Sequence, residues 1–528
     1  MSSSSGYEAV SQKPKPYHSV AKSAAFMSLA TLCSRVLGMV RDMVMIALFP
    51  IFVYDAYVVA FRLPNLFRRV LGEGSLAASF VPLYIETLQK DAPEAKKFAN
   101  AVLTMLCVLT ATLSVIGIIF MPEIMSRWVS GEGYVQVEGK VDLTVLLARI
   151  MFSYLFLVMS YAFLMSLANA HKVFFLPALA PAGFNMAAII FSLLPHSSVQ
   201  GDQLAVGVLA GGFVQLVIVA APLIKLKILP KLSFNWSVSK VPQFFKILLP
   251  SVLGMSITQL IGLLNVNFAS RLSEGAHSYI YLADRLLELP QSLLSVSLGT
   301  ALLPTLSEYW VQNKKKLFVT EVHRHVRLLS VLSLPAAVGL YVLAEPIIRV
   351  IYQRGHFGEA QVAATAQVLS IYALVLIVGG YHRVTVPAFY AIKNTWFPAA
   401  NSAGCLIVHF FVADWATDTY GLQGLVAATA FTGLLNLIVL LIGFKLAFGE
   451  LGVSPFVKSV LWLLPSLAAM GWAASSLYSF ALPQFGALLA LILTIFSAVV
   501  IYFGINRLLK HPEATLIFNL LIKRASRR

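Results

Sequence analysis

Fourteen runs of about twenty or more mostly apolar residues divide this chain, and their repetition limits its fold more than any single motif. They lie near 24–50, 54–88, 97–121, 142–169, 173–195, 203–226, 243–270, 277–311, 318–345, 362–391, 397–414, 422–447, 456–480 and 484–507. A helix of about twenty apolar residues crosses the hydrocarbon layer of a bilayer. Irregular backbone inside such a span must line a cavity or be buried in protein. Composition agrees: 59% of residues are hydrophobic and 12% charged, against about 45–50% and about 25% in soluble domains. A large soluble enzyme is excluded, because its surface would need more charge than this. The expectation is an all-α polytopic membrane protein with 14 transmembrane helices. The first run is too long for a signal-peptide core of about 7–15 residues, so it stays as a helix.

Basic residues orient the spans. Connections after even-numbered spans carry Lys90, Lys96 and Lys97, then Lys172, then Lys225, Lys227, Lys231 and Lys240, then Lys314, Lys315, Lys316 and Arg324, then Lys393, then Lys458. Odd-numbered connections are poor in bases, with Arg127, Lys140, Arg271, Arg349 and Arg354 as exceptions. Both termini are basic as well, which predicts that both face the cytoplasm. The net charge of +16 is thereby explained without nucleic acid. A tail helix over Ala514–Leu521, flanked by bases, is expected on the inner membrane surface. Cys33, Cys107 and Cys405 lack pairing or metal spacing and read as small buried apolar residues.

An internal repeat is visible at an offset of 222 residues. Tyr57 meets Tyr279, Leu71 meets Leu293, Ser75 and Leu76 meet Ser297 and Leu298, Pro82 meets Pro304, and Glu86 meets Glu308. These are spans 2 and 8, so the repeat is six helices long and parallel. It predicts two six-helix lobes related by a pseudo-two-fold axis, plus two C-terminal helices. Repeat-built transporters place substrate near the midplane between their halves.

Charges inside apolar spans are costly and mark function or pairing. Snorkelling from a helix end explains isolated cases, but the first two spans are crowded. Span 1 holds Arg35, Arg41 and Asp42; span 2 holds Arg62, Arg68, Arg69 and Glu73, with Asp55 at its start; span 8 holds Asp284, Arg285 and Glu288. Arg35 and Asp42 are two turns apart on one face, ~10 Å along the axis. Asp55, Arg62 and Arg69 form a second seven-residue stripe, with Glu73 one turn beyond. Helical spacing therefore offers partners to Arg35, Arg62 and Arg69, and none to Arg41 or Arg68. Six arginines against five carboxylates suggest an anionic cargo. The planar guanidinium fork suits phosphate oxygens better than a lysine ammonium does, so phosphate or diphosphate is expected.

Catalytic motifs are missing: no Walker loop, GxSxG or HExxH occurs, and the histidines are scattered. No catalytic residue, metal ligand or cofactor is expected, and the chain reads as a transporter, not an enzyme. Asn265, Asn267 and Asn401 suit interhelical hydrogen bonds.

The same charged residues carry a family resemblance. Ser34–Gly38 followed by Arg41 and Asp42 resembles the first-helix signature of the MurJ/MviN lipid II flippases. Asp55–Tyr57, Phe61–Arg69, Glu73–Ser75 and Phe80–Pro82 resemble its second helix; Tyr281–Leu286 with Pro290, and Leu298–Pro304, resemble its eighth. Tyr352–Phe357 resembles the motif after the ninth span. The resemblance implies the multidrug/oligosaccharidyl-lipid/polysaccharide exporter fold and alternating access. The implied cargo is lipid II, an undecaprenyl-diphosphate-linked disaccharide peptide, moved from the cytoplasmic to the periplasmic leaflet. Another polyprenyl-diphosphate-linked oligosaccharide is the alternative cargo. By matching position, Arg35, Arg41, Arg68 and Arg285 bind substrate, supported by Ser34, Asp42, Asp55, Arg62 and Glu73.

The implied organisation is a cytoplasmic tail (1–21), an N-lobe (22–228), a C-lobe (229–450), a lipid-tail groove (451–508) and a basic cytoplasmic tail (509–528). Membrane lipids and cell-wall synthesis proteins are the further partners expected, in a bacterial inner membrane.

Overall fold

The computed structural model describes residues 17–195, 199–234, 238, 240–449 and 453–517. The expected tails therefore lie largely outside the described residues, as do the side chain of Glu73 and the second half of the tail helix. The described residues are helical, with no strand among them. All fourteen apolar runs fall on helix. Among the described residues, eight helices are long and apolar enough to cross a membrane.

The first compact unit ends at Ser278. Its helices are α1 (Tyr17–Leu48), α2 (Ile51–Phe67), α3 (Leu76–Lys90), α4 (Ala92–Ile119), α5 (Met121–Trp128), α6 (Glu132–Val135), α7 (Lys140–Phe152), α8 (Tyr154–Ala170), α9 (Phe175–Ser192), α10 (Asp202–Lys225) and α11 (Val241–Ser270). A π-helical segment, Arg68–Ser75, joins α2 to α3. Pro64 near the end of α2 has no N–H to give the preceding turn, and Gly72 and Gly74 relax the backbone beyond it. Ser75 Oγ donates to the Val70 carbonyl at 2.6 Å, which satisfies an acceptor inside the widened turns. Single-turn π-bulges are frequent at functional sites, and this one begins on Arg68 and Arg69.

Helix α9 lies against α10 and α1, α2 against α7, and α4 against α8. Phe80 centres an aromatic cluster with Tyr84, Phe98, Phe163 and Phe244, at centroid separations of 4.8 to 6.5 Å. Phe244 belongs to α11, so the seventh span packs with the first unit. Trp128 Nε1 donates to the Leu263 carbonyl at 3.0 Å, and Asn267 Nδ2 to the Trp128 carbonyl at 3.0 Å, fixing that packing. In lipid, such close contacts and interhelical bonds hold helices together, since tails are as apolar as side chains. The repeat alone had placed this span with the second lobe.

The second unit runs from Tyr279. It contains most of α12 (Ala276–Val311), then α13 (Lys315–Val342), α14 (Ala344–Tyr352), α15 (Glu359–Ala391), α16 (Trp396–Phe448) and α17 (Val453–Leu508). Gly421 (φ 59°, ψ −136°) and Gly486 (φ 73°, ψ 166°) break α16 and α17 into two spans each. Only glycine takes such angles easily. Asn401 Nδ2 bonds across the first break to the Asn436 carbonyl at 2.9 Å. The halves of α17 pack on α13 and α14 through Leu463, Leu467, Met470, Leu491 and Tyr502 around Val331.

Two local expectations change. Ala514 is buried, and Glu513 pairs with Arg327 of α13, so the described start of the tail helix docks on protein. A carboxylate facing a guanidinium and a buried small side chain favour that seat over the membrane surface. Cys33 is exposed, whereas Cys405 is buried as expected; a thiol is only weakly polar, so either setting costs it little.

Candidate functional site

In the first unit, α1 carries Ser34 and Arg35 half-buried and Arg41 and Asp42 fully buried. Arg41 is 2% exposed and Asp42 0%. Arg41 Nε and Nη2 both donate to Asp42 Oδ1, at 3.0 and 2.7 Å, while Nη1 donates to Asn185 Oδ1 of α9 at 3.2 Å. The Asn185 amide in turn donates to the Ser34 carbonyl at 3.0 Å. This corrects the expectation that Arg41 has no partner. Helix-face spacing does not set adjacent residues against one another, but a long guanidinium stem can fold back to the neighbouring carboxylate. Three donors of one fork are thus used within protein.

On α2 and the π segment, Arg62, Arg68 and Arg69 are half-buried. Arg62 Nη2 donates to the Gly262 carbonyl of α11 at 3.4 Å, and Arg68 Nε to Asn65 Oδ1 one turn earlier at 2.9 Å. The widened turns have i→i+5 bonding. The expected pairing of Arg69 with Glu73 falls on a side chain outside the described residues.

Asp55 goes elsewhere. Its Oδ2 accepts from Lys140 Nζ at 2.7 Å, and its Oδ1 accepts from the Ser278 backbone N–H and hydroxyl, both at 2.8 Å. His277 Nδ1 stands 3.4 Å from Oδ2, with its other ring nitrogen 3.0 Å from the Val266 carbonyl. The Lys140 ammonium also lies 4.2 Å from the centre of the Tyr134 ring, a favourable cation–π placement. Asp55 and Lys140 are each 1% exposed. The expected Asp55–Arg62 stripe is therefore not a pairing: the carboxylate ties together the starts of α2, α7 and α12. Lys140 was missed as a site residue. Its signal was there, as a lone lysine at the mouth of a span in a connection otherwise poor in bases.

In the second unit, Arg285 of α12 is half-buried. Its Nη1 donates to Glu288 Oε2 at 3.0 Å and its guanidinium stands 5.6 Å from the Tyr281 ring centre. Among the described residues, no group of His, Cys, Asp and Glu is placed to hold a metal ion.

Arg62, Arg68, Arg69 and Arg285 sit within a stretch that matches a known family. Residues 46–503 match the family model described as lipid II flippase MurJ. The chain belongs to the MurJ family. A curated probable lipid II flippase MurJ of Bdellovibrio bacteriovorus is 41% identical over 92% of this chain and 94% of its own length. The lipid II flippase MurJ of Burkholderia cenocepacia is 32% identical over 79% of this chain and 82% of its own. A solved lipid II flippase MurJ in an inward closed conformation superposes with a TM-score of 0.74, 26% identity, and coverage of 95% of this chain and 99% of that one. An inward-facing MATE transporter of the MOP superfamily shares the fold at a TM-score of 0.66 and 12% identity. The chain is thus a multi-pass membrane protein of a transporter family, as its apolar spans and charged motifs led one to expect.

Proposed function

We propose that this protein moves lipid II from the cytoplasmic to the periplasmic leaflet of the bacterial inner membrane by alternating access. Membership of the MurJ family over residues 46–503 carries the reading. The surplus of arginine in spans 1, 2 and 8 supplies its chemistry, since guanidinium forks suit the diphosphate that joins the sugar head to its polyprenyl tail.

Arg35, Arg41, Arg68 and Arg285 form the proposed substrate-binding set. Arg35 and Arg68 are half-buried on the first unit, and Arg41 reaches the head only on leaving its Asp42–Asn185 clasp. Arg285, in the second unit, joins on the motif resemblance and not on a distance. Ser34, Asp42 and Asp55 support the set by holding backbone and charge in place; Arg62 and Glu73 belong to it by motif. By the repeat, the functional lobes are 22–228 and 229–450 even though α11 packs with the first unit, with 451–508 receiving the tail, and both termini face the cytoplasm.

The test is replacement of the native flippase in bacteria depleted of it, scored by lipid II on the outer face of the membrane. The wild-type chain restores exposure, and Arg68→Ala and Arg285→Ala abolish it at unchanged membrane levels. Normal exposure with both variants overturns the site; failure of the wild-type chain overturns the function.

A further inference from the structure

Five helices end in the same hydrogen-bonded turn. After α8, Lys172 N–H donates to the Asn169 carbonyl at 3.0 Å and Val173 N–H to Ala168 at 2.9 Å. After α10, Lys227 and Ile228 donate to Ile224 and Leu223; after α15, Lys393 and Asn394 to Tyr390 and Phe389. Lys510 and His511 repeat the pattern after α17, and Asn313 and Lys314 after α12. Each is a Schellman cap, whose pivotal residue is left-handed and is usually glycine. Here the pivots are Lys172 (φ 61°), Lys227 (φ 58°), Lys393 (φ 61°), Lys510 (φ 55°) and Asn313 (φ 56°).

The two sets of connections differ. Positive-φ residues in odd-numbered connections, among those described, are Gly139, Gly201, Gly275, Gly355, Gly421 and Gly486, all glycine. In even-numbered connections they are the four lysines, Asn313 and Gly449. Left-handed backbone is costly for any residue with a Cβ, so lysine at four such turns needs an offsetting gain. Attraction to the helix C-terminal dipole is one source, but a lysine one position earlier supplies that without strain.

All four lysine side chains are exposed, and none pairs with a carboxylate among the described residues. Beside them stand exposed apolar side chains: Phe175 near Lys172, Ile224 near Lys227, Trp396 (79%) near Lys393 and Leu508 (81%) near Lys510. A cation at a helix tip beside apolar and aromatic anchors matches the level where acyl chain gives way to headgroup.

We infer that the left-handed lysines 172, 227, 393 and 510 are binding points for the phosphate of anionic phospholipid headgroups in the leaflet on the even-connection side. The tight turn holds each ammonium at one height above its helix end, which glycine would leave bare. The strained backbone is therefore retained for what it presents to lipid.

The test uses the purified full chain in zwitterionic micelles titrated with phosphatidylglycerol, with bound lipid counted by native mass spectrometry and thermal stability followed in parallel. Lys→Gly suits all four positions, because it relaxes the backbone while removing the charge. The fourfold Lys→Gly variant should keep or raise its melting temperature without anionic lipid. It should lose its preference for phosphatidylglycerol over phosphatidylcholine, about fivefold per lysine removed. The fourfold Lys→Arg variant should keep that preference. An unchanged preference in the Lys→Gly variant overturns the proposal. So does an equal loss of stability with and without anionic lipid, which would assign the lysines to the helix dipole alone.

Discussion

Lys140 Nζ lies 2.7 Å from Asp55 Oδ2, with both side chains 1% exposed. This buried pair joins two helices whose sequence positions are 85 residues apart. The ammonium has the Tyr134 ring at its other side, and the carboxylate has Ser278 on its second oxygen. Taking either charge away leaves the other buried without its ion-pair partner.

Lys140→Met should therefore lower stability by about 3–5 kcal/mol, read as a fall in detergent melting temperature. Asp55→Asn in the same background should recover part of the loss, since no uncompensated carboxylate then remains. Additive single and double variants would show that the two charges are not coupled.

Asn185 is the hinge of the α1 clasp, accepting from Arg41 and donating to the Ser34 carbonyl. Asn185→Leu should cost about 1–3 kcal/mol, because it leaves a buried guanidinium N–H and a carbonyl unsatisfied. Lipid II exposure in complemented cells should fall more than protein level does. Full exposure would show that the clasp plays no part in transport.

Gly421 holds φ 59° and ψ −136° where the two halves of α16 meet. Gly421→Ala should destabilise by about 1–3 kcal/mol, although no atom stands within 4 Å of the added Cβ. The equivalent change at Gly404, which also has open space but lies inside the first half of α16, should be neutral or mildly stabilising. Comparing the two melting curves separates backbone strain from crowding.

His511, beyond the end of α17, is fully buried beside Ser459, and burial pushes its pKa below the ordinary imidazole value. The unfolded chain then holds more protons than the folded one at mildly acidic pH, so stability falls as pH drops below about 6.5 toward the lowered folded value. His511→Asn should flatten that part of the melting-temperature profile between pH 7.5 and pH 5. An unchanged slope would place the acid sensitivity elsewhere.

Much of the candidate site was legible because its signals are local. Arg35, Arg41, Arg68 and Arg285 announce themselves as charges inside apolar runs, and their surrounding motifs point to the family without any distance. The pairing between them was not legible. Helical spacing ranks neighbours on one ideal helix, and three departures defeat it here. Arg41 reaches the adjacent Asp42, Asp55 is taken by Lys140 from another helix, and π turns from Arg68 to Ser75 replace the α-helical spacing of the backbone there.

Hydropathy over about twenty residues suffices to determine that a segment leaves water, because that choice depends on the segment and the solvent alone. The spans, the basic connections, the arginine surplus and the likeness to lipid II flippases therefore stand on the amino-acid sequence. Partnership is a different kind of fact. A buried charge settles on whichever opposite group the packed helices bring within about 3 Å, since the desolvation cost leaves it no other stable choice. Only the tertiary structure could decide that Lys140 is buried beneath Asp55, that Asn185 clasps Arg41, that α11 packs with the first unit, and that lysine, not glycine, turns four helix ends.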